Sequence, residues 1–312
     1  MGIFLAALIA VAVLLLTASP GYIFIKTKVF KEDAIPIFSK LLLFVCQSSL
    51  VIYTFLTTPF SVDILKNLGL FMLGTIAIHA VMLISACLIL KKKFDDVTAR
   101  ISTIAIVFAN SAFFGIPIIE AVMGEGASEL IIYTTAYAMV MNLIGWTAGS
   151  AIISKSRKYI SVKKLFLNPY MISVLVSLPI FIFSLSLPIQ IENMIAVLGK
   201  MTTPLSMIII GMRLATSEFK SVFGNVKIYA TALIKLVAMP LLAFCIIYFF
   251  PIPPEAKKAL YIICACPAAS IVLNFSEIIG EGQKDAAASV LLSTILSIAT
   301  LPLMMLILPL FA

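Results

Sequence analysis

Apolar residues fill the chain in ten long runs, at approximately 3–24, 35–57, 67–90, 101–122, 129–153, 168–187, 192–212, 226–250, 257–279 and 286–311. Each is close to the roughly 20 residues that a helix needs to cross the hydrocarbon core of a bilayer. Helix-breaking residues punctuate them: Ser19-Pro20-Gly21, Gly124-Glu125-Gly126, Asn168-Pro169, Pro251-Ile252-Pro253-Pro254 and Gly280-Glu281-Gly282. The pattern predicts ten transmembrane helices, and no connection is long enough to form a soluble domain.

Lysine and arginine alternate strongly between the connections. Sixteen fall in the odd-numbered ones, from Lys26, Lys28 and Lys31 through Arg100, the cluster Lys155 to Lys164, Arg213, Lys220 and Lys227 to Lys284. Three fall in the even-numbered ones, at Lys66, Lys257 and Lys258. A miscounted span would scramble this bias, which by the positive-inside rule makes the odd connections cytoplasmic and leaves both termini outside. The basic stretch 154–167 divides the chain into halves of five helices, 1–153 and 168–312. Five is odd, so two similar halves enter the membrane in opposite directions, as an inverted repeat. Gly-Glu-Gly after segment 4 and again after segment 9, each with a glutamate shortly before it (Glu120, Glu277), agrees with this.

Composition narrows the class. The chain of 312 residues is 62% apolar and 12% charged, with mean hydropathy +1.17. Soluble domains run at roughly 45–50% apolar and about 25% charged. The net charge of +8 lies in short clusters between apolar runs, not in a stripe, so it orients the protein in lipid and does not call for nucleic acid. The five cysteines all lie inside apolar runs, which argues against a disulfide framework; Cys264 and Cys266, two apart on a helix, point different ways and read as packing residues. No cofactor or metal is expected. The first apolar run lacks a basic leader and a cleavage signal and reads as a spanning helix. His-Glu-x-x-His, Gly-x-Ser-x-Gly and phosphate-loop motifs are missing, so enzyme classes are disfavoured.

Segments 4 and 9 carry the unusual chemistry. Segment 4 places Asn110 and Ser111 deep in the span, with Gly115 and Pro117 behind them, and Pro117 deprives the Phe113 carbonyl of its helical donor. Segment 9 holds Pro267 and Ala268, then Ser270 and Asn274, and Pro267 deprives the Ile263 carbonyl in the same way. Backbone groups freed in lipid cost several kcal/mol unless protein, water or ligand satisfies them. Two interrupted helices at matching places in two halves are the best sequence pointer to a transporter's site. Their half-helix N-termini carry partial positive charge and hold an anion without an arginine. The bland alternative is that these residues merely kink the helices. Lys40 and Lys200 lie near segment ends and snorkel. Lys235 is deeper, and pairs with a carboxylate or faces a cavity. His79 is either a packed histidine or a proton relay, and Asp63 either an exposed loop carboxylate or a coupling group.

At these residues the chain resembles the auxin efflux carrier family in its prokaryotic form. The resemblance rests on Gly21 to Phe44, Asn110 to Pro117, Asn168-Pro169, Gly211, Cys266 to Ala269 and Leu291 to Pro302, in that order. It implies an all-α membrane protein of two inverted five-helix repeats with broken, crossing helices 4 and 9, similar to bile-acid symporters and sodium/proton antiporters. It further implies a scaffold of helices 1, 2, 6 and 7 that forms a homodimer, beside a transport unit of the other six. The implied activity is alternating-access transport of a small organic anion such as a carboxylate across the cell membrane, with Asn110, Ser111, Asn142, Pro117, Pro267 and Ala268 at the substrate. Ala109, where plant members have proline, predicts a softer break in helix 4. A ligand-binding sensor or a channel is the alternative, and counterflow separates it from a carrier.

Overall fold

A computed structural model describes residues 2–124, 127–160, 163, 166–217 and 224–311. Glu125 and Gly126 of the first Gly-Glu-Gly turn, and Lys164 and Lys220 of the basic connections, lie outside the described residues. In chain order the main helices are α1 (Ile3–Lys26), α2 (Ala34–Thr57), α3 (Val62–Lys93), α4 (Val97–Val107), α5 (Ser111–Met123), α6 (Leu130–Ser154), α7 (Pro169–Ile182), α8 (Ile189–Thr216), α9 (Val226–Tyr248), α10 (Pro254–Ala265), α11 (Ile271–Ile279) and α12 (Gln283–Met305). Seven of them, α1, α2, α3, α6, α8, α9 and α12, are long and apolar enough to cross a membrane. The protein is therefore an all-helical, multi-pass membrane protein. The shorter α4, α5 and α7 are also apolar.

The punctuation at Ser19-Pro20-Gly21 does not end a helix: α1 continues through Pro20 to Lys26. Gly21 serves packing instead. A Cβ on Gly21 would stand 1.9 Å from the Ile208 carbonyl oxygen, and one on Gly211 would stand 1.9 Å from that of Ala18. Glycine on both partners lets α1 and α8 approach backbone to backbone, the usual device where lipid supplies no hydrophobic drive between helices. The peripheral helices leave large apolar side chains exposed, such as Leu16, Phe44, Leu73 and Val197. By contrast α4 is buried continuously from Ala99 to Val107 and α10 from Ala259 to Ala265. Burial on every side along these stretches puts the two at the centre of the molecule.

Ion pairs tie the odd-numbered connections and the helix ends beside them together: Lys155–Asp95 at 2.5 Å, Lys227–Asp96 at 2.6 Å, Arg100–Glu281 at 3.1 Å and, between the ends of α8 and α11, Arg213–Glu277 at 3.3 Å. The hydrogen bond from Lys227 holds the Asp96 carboxyl below its ordinary range, and Lys155 does the same for Asp95. Arg100 corrects the sequence reading. It belongs to α4, not to a loop, and its buried guanidinium donates to the Ile153 carbonyl and to Glu281. The second Gly-Glu-Gly turn forms as expected: Gly280 and Gly282 hold φ of 85° and 70°, which residues with a Cβ rarely adopt.

Among the described residues four helices contain a π turn, at Leu42–Cys46, Ser111–Gly115, Gly145–Gly149 and Ile234–Ala238. Two of these stop two residues before a proline, Pro117 and Pro240, whose ring would clash with the carbonyl four residues earlier and so widens the turn. Such turns concentrate at functional sites, and three of the four border the cavity described next.

Candidate functional site

Both central helices break, and the breaks pair. After α4 the backbone extends at Phe108 (φ −86°, ψ 123°) and resumes as α5 behind Asn110. After α10 it extends at Cys266 (φ −66°, ψ 154°), the conformation imposed on a residue that precedes proline, and resumes as α11 behind Ser270. Ala109 and Ala268 face each other as an isolated antiparallel bridge. The Asn110 N–H donates to the Pro267 carbonyl at 2.9 Å, and the Ala269 N–H donates to the Phe108 carbonyl at 3.0 Å. Ser293 from α12 accepts from the Ala268 N–H at 3.1 Å. The groups freed by one break are thus satisfied by the other, as an apolar surround demands.

Two expectations change here. The α4 break lies at Phe108–Asn110, upstream of Pro117, so proline is not its cause; pairing with the second break is. Likewise the Ile263 carbonyl is not left without a donor, since it accepts from the Cys266 N–H at 3.1 Å.

Beside the bridge lies a cavity of about 150 Å³. Its walls come from α2 (Leu43, Gln47), α5 (Ser111, Phe113), α6 (Met141, Asn142, Trp146), the start of α7 (Asn168 to Tyr170) and α11 (Asn274, Phe275). Trp146 and Phe275 meet edge to face with centroids 4.9 Å apart and close one side. Three helix N-termini reach this space: α5 capped by Asn110, α7 by Asn168 and α11 behind Ser270. Asn110 Oδ1 accepts from the Phe113 N–H at 3.3 Å and Asn168 Oδ1 from the Met171 N–H at 3.0 Å. Yet Asn110 Nδ2 and Ser111 Oγ, both in residues no more than 3% exposed, have no hydrogen-bond partner among the described residues. A buried donor without a partner costs about 1–3 kcal/mol. No charged side chain lines the cavity among the described residues. Convergent helix N-termini with unpaired neutral donors and apolar walls suit an anion carrying an apolar body.

A profile of the membrane transport protein family matches residues 6–305. The chain belongs to the auxin efflux carrier family. Among curated proteins no match to the chain is found.

In this family member the sequence-predicted residues divide. Asn110, Ser111 and Asn142 line the cavity together, Asn142 with its Nδ2 donating to the Ala138 carbonyl at 2.8 Å. Pro267 and Ala268 build the bridge behind it, where Ala269 is the neighbour that reaches the cavity. Pro117 lies in the first turn that follows the π turn and does not line the cavity. Lys235 is 1% exposed within a π turn of α9 and donates to the Cys264 carbonyl at 3.4 Å, close to where α10 ends. His79 is fully buried against Tyr137 and Phe108; its Nδ1 contacts the Thr75 carbonyl at 2.8 Å, while its Nε2 has no partner among the described residues. Neither lines the cavity. Asp63 is exposed in the first turn of α3, as a helix-start carboxylate, and does not line the cavity. No cluster of three or more His, Cys, Asp or Glu residues exists among the described residues. Ser270 and Asn274, noted in segment 9 but not placed at the substrate, also line the cavity, and Gln47, Trp146 and Phe275 are cavity residues that sequence reasoning did not select.

Proposed function

We propose that this membrane transporter is a secondary carrier that moves a small organic anion, a carboxylate, across the cell membrane by alternating access. The observation that carries the reading is the cavity beside the Ala109–Ala268 bridge, where Asn110 Nδ2 and Ser111 Oγ stand buried at a helix N-terminus without partners among the described residues. The unmet donors and the helix dipoles together favour a carboxylate without any fixed positive charge. The apolar remainder of the substrate would rest against Trp146, Phe275 and Met141, with Asn142 alongside.

We read the chain as ten spans by counting α4 with α5, and α10 with α11, as single interrupted helices. On that count residues 1–153 and 168–312 form two inverted repeats joined by 154–167, with both termini outside. An antiparallel bridge between breaks at equivalent places supports the inversion, and the ion pairs among odd connections support their sharing one face. The scaffold is then α1, α2, α7 and α8, which would dimerise within the lipid, and the transport unit is α3 to α6 with α9 to α12. The cavity takes walls from both, as a site between a fixed and a moving part must. Counterflow in proteoliposomes tests this with labelled acetate, benzoate, malonate and malate: a carrier exchanges labelled for unlabelled substrate against its gradient. Dissipation without exchange would indicate a channel, and binding without flux a sensor; either outcome overturns the proposal.

A further inference from the structure

The central cavity continues outward. A second space, shared with the first at Leu43, Phe113, Ser270 and Asn274, leads to a third of about 360 Å³ that reaches the exposed Glu32 of the first connection and Lys40 of α2. Arg213 and Asn274 line both outer spaces. Along α11 the polar side chains Ser270, Asn274 and Glu277 recur at spacings of four and three, so they stack on one helix face from centre to mouth. At the mouth Arg213, in the last turn of α8, meets Glu277 of α11. On the division proposed above this pair joins scaffold to transport unit, whereas Arg100–Glu281 and Lys227–Asp96 each stay within the transport unit and Lys155–Asp95 ties that unit to the start of the linker.

The pair is built to exchange partners. Its contact is a single one, Nη1 to Oε1 at 3.3 Å, long beside the roughly 2.7–2.9 Å of a strong charge-assisted bond. The two side chains are 21% and 50% exposed, so water already screens them and an opened pair costs little. A guanidinium offers two parallel N–H groups to a carboxylate. A carboxylate in the mouth that took both would outcompete a one-point contact, and Glu277 would turn to water.

We propose that Arg213 determines anion capture at the mouth: it binds the substrate carboxylate in place of Glu277 and passes it along Asn274 to the donors at Asn110 and Ser111. This rests on the carrier reading and names its entry residue. Ordinary structural ion pairing predicts that loss of either partner acts alike. Capture predicts opposite signs, because Glu277 competes with the substrate.

The test is exchange in proteoliposomes with labelled acetate, benzoate, malonate and malate, taking whichever the parent protein exchanges. Arg213→Gln is expected to lower kcat/KM about tenfold through KM, with the saturating rate within about twofold, and Arg213→Lys to fall between. Glu277→Gln is expected to raise kcat/KM a few-fold. Should Arg213→Gln fail to fold, Arg213→Lys and Glu277→Gln carry the test alone. Changes of the same sign in the two partners, or an unchanged kcat/KM in Glu277→Gln, overturn the inference while leaving the carrier reading standing. A parent protein that exchanges none of the four overturns both.

Discussion

Asn110→Ala separates a binding role from a structural one, because the two halves of this amide do different things. Its Oδ1 caps α5 through the Phe113 N–H, and loss of such a cap costs about 0.5–2 kcal/mol. Its Nδ2 is buried without a partner among the described residues, and deleting that group returns about 1–3 kcal/mol. The two terms oppose each other at similar size. The thermal midpoint in detergent should therefore stay within about 5 °C of the parent. Binding has no such offset. A hydrogen bond to a charged group contributes about 1.5–3 kcal/mol, which is about tenfold to a hundredfold in affinity. Half-saturation of counterflow should rise by that factor. Unchanged half-saturation would remove Asn110 from the site, and a midpoint lowered well beyond 5 °C would make the amide a structural group.

Two further substitutions test the frame and the buried cation. Gly211→Ala would set a Cβ 1.9 Å from the Ala18 carbonyl oxygen, where at least about 3.0 Å is needed, so α1 and α8 must part by roughly 1 Å. Overpacking of that kind costs about 1–3 kcal/mol, and a melting curve that overlays the parent's would refute the close crossing. Lys235→Met keeps length while removing a buried ammonium with no carboxylate partner among the described residues, so the midpoint should hold or rise. Exchange should fall at least about tenfold if the charge serves transport; a protein that melts lower yet exchanges normally would make Lys235 a packing residue.

How much of this was legible in the sequence depends on how far each feature is local. The long apolar runs and the lysine bias are local, and they placed α1, α2, α3, α6, α8, α9 and α12 well. Asn110 and Pro267 stood out because polar and proline residues deep in an apolar run demand compensation. The exact place of the first break was not local: Phe108 and Ala109 extend because Pro267 and Ala269, more than 150 residues on, supply backbone partners. Arg100 looked like a loop residue for the same reason, its partner Glu281 being 181 positions away. Trp146 and Phe275 read as ordinary apolar positions until folding set them edge to face. Ser270, Asn274 and Glu277 were noted one by one in the sequence, but their common spacing, which marks a polar face on an otherwise apolar helix, was not read.

The arrangement also explains why a site for an anion would hold no cation at its centre. An arginine there would be a fixed charge in an apolar surround, and each time the substrate left it would stand unpaired at a cost of several kcal/mol. A carrier passes through that empty state in every cycle. Helix N-termini and neutral amides attract a carboxylate yet leave no net charge behind, so the empty and loaded forms stay close in energy and neither traps the protein. At the mouth the balance reverses. On the capture proposal, water screens Arg213, Glu277 would neutralise it between visits, and a full charge there would draw anions inward without penalising the empty state.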